Sequence, residues 1–482
     1  MTRSLDTATI AGTLAAFAVE SRTSLPAAVS ADAANRVLDF LGNSLAASAA
    51  TDPAAPHRAL TRLMLRRGGR PEAAVLPGGP LLPAAGAALV NGTLAHSLDF
   101  DDTHLPSVLH PSACVVPAAL AVAQERGSSG ARLLTAIAVG DEVCNRLGLA
   151  SYVPQLRNSL FFEKGLHATS ICGTVGAAAA AAMLLDLDTA GIASALGIAA
   201  SMGAGLLEAN RTGGTVKPVH CGWGAQAGVE AAAFAAEGIT GPPTVFEGRF
   251  GFLRAHLDDA YDPEAVTAEL GTRWELLRTV YKPYPSNHFT HAGIDCALAL
   301  RAEGLDPDLV EAIELGVAGA PRRTIGEPAA EKIAPRSGYH AKFSGPYTVA
   351  TALLGGGGLG VYLDDFTDDM LRDPRRMALA RKVTVVTDDV CDREFPRRFG
   401  AVLRVRTRDG RRWEHRVGSS RGGPGHPLTQ PELEEKFRLN AAWARVDDPD
   451  ALSGAVRALP AAGSVAQLMG LLAFPDRRDG QK

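Results

Sequence analysis

From residue 171 to residue 185 the chain carries no charged side chain and is rich in Ala and Gly among larger apolar residues, until Asp186 and Asp188 end the run. Such a segment is too short to span a bilayer, and it has no polar face to turn to water. It has to be a helix buried on all sides. The same Ala-Leu-Val character, recurring at three- and four-residue spacing with Gly or Pro as punctuation, marks residues 31–47, 83–98, 131–149, 189–202 and 225–237 as helices. Small residues at 176–182 and 195–205 let helix backbones approach closely, which predicts a dense helical bundle.

The pattern changes after about Trp274. Short alternating β-branched stretches occur at 312–317, 382–387, 401–407 and 412–417, the last two separated by Asp409-Gly410, a hairpin signal. A helix is expected at 344–354, so this part reads as an α+β unit. Helical periodicity returns at 429–442 and 448–459. A chain of 482 residues exceeds what one ordinary core supports. The expected organisation is a mainly α fold: a helical domain from 1–275 and 425–482, and an α+β domain inserted at 276–424. The polar end at 476–482 is expected to fray.

Several classes of function are excluded on composition. A net charge of −4 and a pI near 6.3 provide no basic field for a phosphate backbone, so nucleic acid is not an expected partner. The six cysteines form no C-x-x-C pair or regular framework, and are expected to be reduced, buried thiols. Residues 1–25 carry Asp6 and Glu20 and lack a signal-peptide pattern, so they read as an amphipathic helix. The expected location is the cytoplasm, with no membrane partner.

Chemistry-bearing residues concentrate in a few segments. The densest runs from His96 through Asp99, Asp101, Asp102, Thr103 and His104 to His110-Pro111-Ser112, where a helix gives way to proline-broken loop. Imidazole beside carboxylate suits general acid–base work, because the carboxylate fixes the tautomer of a group that titrates near neutrality. The same residue types also cap helices and close turns. Neither H-E-x-x-H nor a calcium loop is present, so no metal site is expected. His167 stands at the head of the 171–185 helix, where the helix dipole disfavours its cation. The Gly-rich turn Thr212-Gly213-Gly214-Thr215 leads to Lys217, a candidate anion site, although an exposed lysine is the commoner outcome. Lys282-Pro-Tyr-Pro-Ser-Asn287-His288 is a proline-fixed loop at the junction of the two parts.

Taken in order, these segments, with Asn91-Gly92, the 165–176 and 213–222 stretches, Ala341-Lys342-Phe343-Ser344 and 427–437, resemble the MmgE/PrpD family of dehydratases, decarboxylases and epimerases acting on small carboxylic acids. The resemblance implies a large all-helical domain with an inserted α+β lid, a homodimer, and a lyase (dehydratase or decarboxylase) that needs no cofactor. An epimerase using the same groups and a non-catalytic helical binding protein are the alternatives. By position, it implies catalytic roles for Asp99, His110, His167, Lys217, Lys282 and His288, and substrate contacts for Thr103, His104, Thr215, Asn287 and Tyr339. In this reading His110 and His167 serve as acid and base, Asp99 orients one of them, and Lys217 and Lys282 clamp the carboxylates of a small carboxylic-acid substrate. At Asn287 the decarboxylase branch carries histidine, so either His288 takes its place or this site differs from that branch. The 104–113 segment is closer to the decarboxylase and epimerase branches than to the 2-methylcitrate dehydratases.

Overall fold

The apolar run at 171–185 lies in a helix, Ala168–Leu184, in which every residue is buried. The computed structural model describes residues 9–473 except 51, 53, 157, 210–213 and 424. It divides into two compact units, one made of 1–97, 101–279 and 437–482, the other of 98–100 and 280–436. Helices dominate, as the periodicity predicts. The expected fraying at 476–482 and the Thr212-Gly213 half of the Gly-rich turn lie outside the described residues.

The first unit is helical. Its principal helices are α1 (Ile10–Ser24), α2 (Ala27–Ser48), α3 (Ala84–His96), α4 (Ser112–Arg126), α5 (Gly130–Leu149), α6 (Ala168–Leu184), α7 (Thr189–Ala199) and α8 (Val216–Ala236). The N-terminal helix starts at its Thr9 cap, whose hydroxyl accepts from the Gly12 amide. Helix α6 is central and packs against α4, α5, α7 and α8. Two glycine contacts set this packing. A Cβ at Gly140 of α5 would sit 2.7 Å from the Gly176 carbonyl of α6. One at Gly92 of α3 would sit 2.9 Å from the Gly222 Cα of α8, and one at Gly222 would overlap the Leu89 carbonyl. No other residue permits these crossings. The expected 225–237 helix in fact begins at Val216, and the expected 83–98 helix stops at His96, where the chain turns into the 97–111 loop.

The second unit holds a four-stranded sheet from β1 (Val310–Val317), β2 (Val383–Thr387), β3 (Ala401–Thr407) and β4 (Arg412–Val417), in the order β4-β3-β1-β2. Strands β3 and β4 form the expected hairpin, pairing Ala401 with Val417 and Arg406 with Arg412, and Gly410 takes a left-handed φ of 86° in its turn. Strand β1 runs antiparallel to β3 and parallel to β2. Helix α9 (His291–Ala302) lies against β3 and β4, and α10 (Gly345–Leu354) packs on α9.

All six cysteines are buried and free. Among the described residues no helix is long and apolar enough to cross a membrane, and no group of three or more His, Cys, Asp or Glu is placed to hold a metal ion.

Candidate active site

The Gly92–Gly222 contact brings the end of α3 against the start of α8. His96 lies one turn beyond Gly92, and Lys217, His220 and Cys221 lie in the turn before Gly222. Helix α6 contributes His167, its N-cap residue, whose amide donates to the Gly205 carbonyl at 3.0 Å. Four histidines therefore meet. The His96 ring is 5.1 Å from that of His110 and 5.7 Å from that of His167, and His167 is 5.3 Å from His220.

Their electrostatic states differ. His96 is wholly buried, and its Nδ1 donates to Asp101 Oδ2 at 2.7 Å. Burial is the largest influence and opposes its charge, but the Asp101 carboxylate, together with Cys221, pushes its pKa up to about 9. A charged imidazole at a helix C-terminus also complements the dipole there. His167 goes the other way: burial first, then the positive charge of His96 and Lys217, holds it well below the usual histidine range. It is neutral at physiological pH, as expected, but burial rather than the helix dipole is the main cause. His220 is partly exposed and is lowered for the same reasons. His110 donates Nδ1–H to the Asp102 carbonyl at 2.5 Å, with Thr103 Oγ1 at 3.3 Å, so its neutral form presents Nε2 as an acceptor. Lys217 is 6% exposed rather than solvated.

Beneath His110 lies a second buried network. The Ser112 hydroxyl lies 2.5 Å from Asp102 Oδ2 and 3.0 Å from Asp141 Oδ2, and Arg36 donates to Asp102 at 3.1 Å. Burial raises Asp141 well above the usual carboxylate range and Asp102 to about 6 despite Arg36. This network holds the 102–112 loop that carries His110.

Asp99 pairs with a lysine, and its carboxylate also acts on His291. With a φ of 54° it belongs to the second unit, where Lys282 donates to both its backbone carbonyl and its Oδ1 at 2.9 Å. Asp101 takes the orienting position instead. Three consecutive carbonyls each receive a buried lysine: Leu98 from Lys342 at 2.5 Å, Asp99 from Lys282, and Phe100 from Lys436 at 2.8 Å. Lys342 is lowered to about 7, chiefly by burial, with Asp99 opposing and Lys282 assisting the fall. His288 stacks on His291 at 4.5 Å and its Nε2 lies 3.3 Å from Ser420 Oγ.

The remaining expected contacts fall elsewhere. His104 is buried between Ser107 and Glu275, the latter also held by Arg273 and Arg278, and burial keeps its imidazole neutral. Thr215 is the exposed N-cap residue of α8, and Asn287 caps a short turn by accepting from the Phe289 amide. Tyr339 is exposed, its ring 5.4 Å from that of Phe343 and tilted by 50° to it. The sequence placed His96 and Asp101 in its densest candidate segment but gave neither a role of its own, and gave none to His220. The available signal was a histidine in the last turn of a helix followed five residues later by an aspartate.

The site depends on the glycine crossing beneath it. Gly222→Ala is expected to cost roughly 1–3 kcal/mol of stability, since its Cβ meets backbone that must move. It should also raise the exposure of His96, read by denaturant unfolding and by histidine modification.

The MmgE/PrpD N-terminal domain pattern matches residues 12–264, and the MmgE/PrpD C-terminal domain pattern matches residues 284–453. The chain is 33% identical over 380 residues to a cis-aconitate decarboxylase of Homo sapiens, covering 75% of this chain and 73% of that protein. It is 30% identical over 374 residues to the cis-aconitate decarboxylase of Mus musculus (75% and 72%), and 28% identical over 382 residues to that of Aspergillus terreus (75% and 76%). With both domain patterns lying in order along it, and a relative 33% identical over about three quarters of each protein, the chain belongs to the MmgE/PrpD family.

Proposed function

We propose that this lyase of the MmgE/PrpD family removes carbon dioxide from a small unsaturated tricarboxylic acid of the cis-aconitate class, using the histidine cluster of the helical unit. The observation that carries the reading is the buried His96–Asp101 pair at 2.7 Å, which sets a charged imidazole against the neutral His167. The names of the relatives support the substrate class.

A tricarboxylate brings several negative charges, and desolvating them requires fixed positive partners. The Lys217 ammonium and the His96 imidazolium supply these inside the helical unit. Breaking the bond to the departing carboxylate releases carbon dioxide and leaves an electron pair on carbon, delocalised toward the remaining carboxylate. That carbon then needs a proton. His167 is assigned to deliver it: surrounded by positive charge it holds a proton weakly, and the arriving carboxylates offset that charge so the proton can load. An epimerase is the second reading, favoured by the acceptor nitrogen that His110 presents beside the cluster.

Proton NMR of the enzyme in deuterated water separates them. With cis-aconitate, the expected result is carbon dioxide release and one deuterium at the newly protonated carbon. Exchange into amino-dicarboxylate substrates without loss of carbon dioxide would favour the epimerase, and loss of water from citrate-like acids a dehydratase.

A further inference from the structure

A decarboxylase consumes a proton in every turnover, whereas a dehydratase or an epimerase returns the proton it removes. If the reaction is the one proposed above, on which this inference rests, buried His167 must be reloaded from solvent each time. We propose that His220 is the proton-entry residue, taking a proton from water at the partly exposed start of α8 and passing it to His167.

The geometry suits a relay. His167 Nδ1 and His220 Nδ1 are 3.2 Å apart, a hydrogen bond in which one ring must donate to the other. The rings are 5.3 Å apart and tilted by 57°. His167 is 5% exposed, whereas His220 is partly open. The Ser170 hydroxyl donates to the His220 carbonyl at 2.7 Å, fixing the α8 backbone to α6 where the two rings meet. Gly205 leaves them room: a Cβ there would lie 3.0 Å from His167 Cβ and 3.4 Å from the His220 ring. Burial, most complete at His167, and the positive charges of His96 and Lys217 oppose a proton on either ring, so the proton passes inward when the arriving substrate carboxylates offset that charge.

The balance is simple. The carbon–carboxylate bond breaks and carbon dioxide leaves. The electron pair remaining on carbon forms a C–H bond with the proton of His167. His220 gives its Nδ1 proton to His167 Nδ1 and takes one at its other nitrogen from water. One proton leaves the medium for each carbon dioxide formed. His220 need not touch the substrate, so it is a relay residue and not a catalytic one.

Two variants test it, His220→Ala and His220→Gln, the second keeping a hydrogen-bonding side chain that cannot shuttle a proton. Both should lose turnover on the order of 10²-fold, in kcat rather than KM. Added imidazole should restore His220→Ala in proportion to its concentration and protonated fraction, with little effect on the wild type. The relay is overturned if either folded variant turns over like the wild type, if the loss lies in KM alone, or if no small imidazole rescues His220→Ala. Should His220→Ala not fold, the same kcat loss with an enlarged solvent isotope effect in His220→Gln supports the relay, and an unchanged rate overturns it. A wild type that releases no carbon dioxide sinks the decarboxylase reading itself, and the relay with it. A decarboxylating wild type with unrescued variants removes only the role of His220.

Discussion

Asp101→Asn is expected to lower turnover by about 10²- to 10⁴-fold, the range for losing a positioned acid–base partner, while leaving the helical unit folded. The carboxylate is the reason that a fully buried imidazole stays charged: His96 and Asp101 lie 2.7 Å apart, and burial alone would drive His96 to its neutral form. Asparagine keeps the shape and removes the charge. His96 should then titrate below its ordinary value, and the site loses a positive partner for its anionic substrate. The same change has a signature in stability. Because His96 is raised from 6.5 to about 9, its contribution is complete below pH 6.5 and lost as the pH climbs through about 9. At about 1.4 kcal/mol per pH unit the loss is roughly 3 kcal/mol. Lys342, lowered from 10.5 to about 7, acts with the opposite sign above pH 7, so the His96 contribution is read by denaturant unfolding as the stability difference between wild type and Asp101→Asn, which should shrink between pH 6.5 and 9. Asp102, raised to about 6, loses its contribution over a lower window, so the two do not overlap.

The second large effect is on stability. Lys282→Met should destabilise the second unit by roughly 3–5 kcal/mol, because it leaves Asp99 buried without the cation that pairs with it at 2.9 Å. Adding Asp99→Asn should recover much of the loss, since replacing both members of a buried pair costs far less than removing one. If Lys282 acted only as a substrate clamp, Lys282→Met would raise KM and leave the unfolding midpoint unchanged. Thermal unfolding and a substrate titration on the same variants separate these outcomes.

Lys282 also illustrates how far a sequence can be read. Its residue type and its place in a proline-fixed loop marked it as special, but not whether its ammonium meets a substrate or the chain. Asp99 and Asp101 are chemically equivalent in sequence, and the choice between them depends on the left-handed backbone at Asp99, which turns it away to Lys282. Spacing does not encode that. Lys342 and Lys436 were legible only as members of family-like segments, because their partners are backbone carbonyls far away in the chain. The helices were legible because their signal is local: small and apolar residues at three- and four-residue spacing specify both helix and close packing. The β3–β4 hairpin was legible for the same reason, with Asp409-Gly410 marking its turn. The parallel pairing of β1 with β2 joins segments separated by six α-helices of the second unit and had no local mark. His96 and Asp101 were legible as members of the densest candidate segment, but their pairing was not, because the aspartates at 99, 101 and 102 are alike in sequence.

The distribution of charge among the clustered histidines underlies both the proposed reaction and the proton relay. It can be measured by titrating ¹⁵N-histidine-labelled protein by NMR, with His96→Gln, His110→Gln, His167→Gln and Asp101→Asn used for assignment. The expected result is that His96 stays an imidazolium through pH 8 and titrates near pH 9, His167 is already neutral at pH 6, and Asp101→Asn brings His96 below its ordinary value. A neutral His96 at pH 7, or a His167 that titrates near 6.5, would contradict the account.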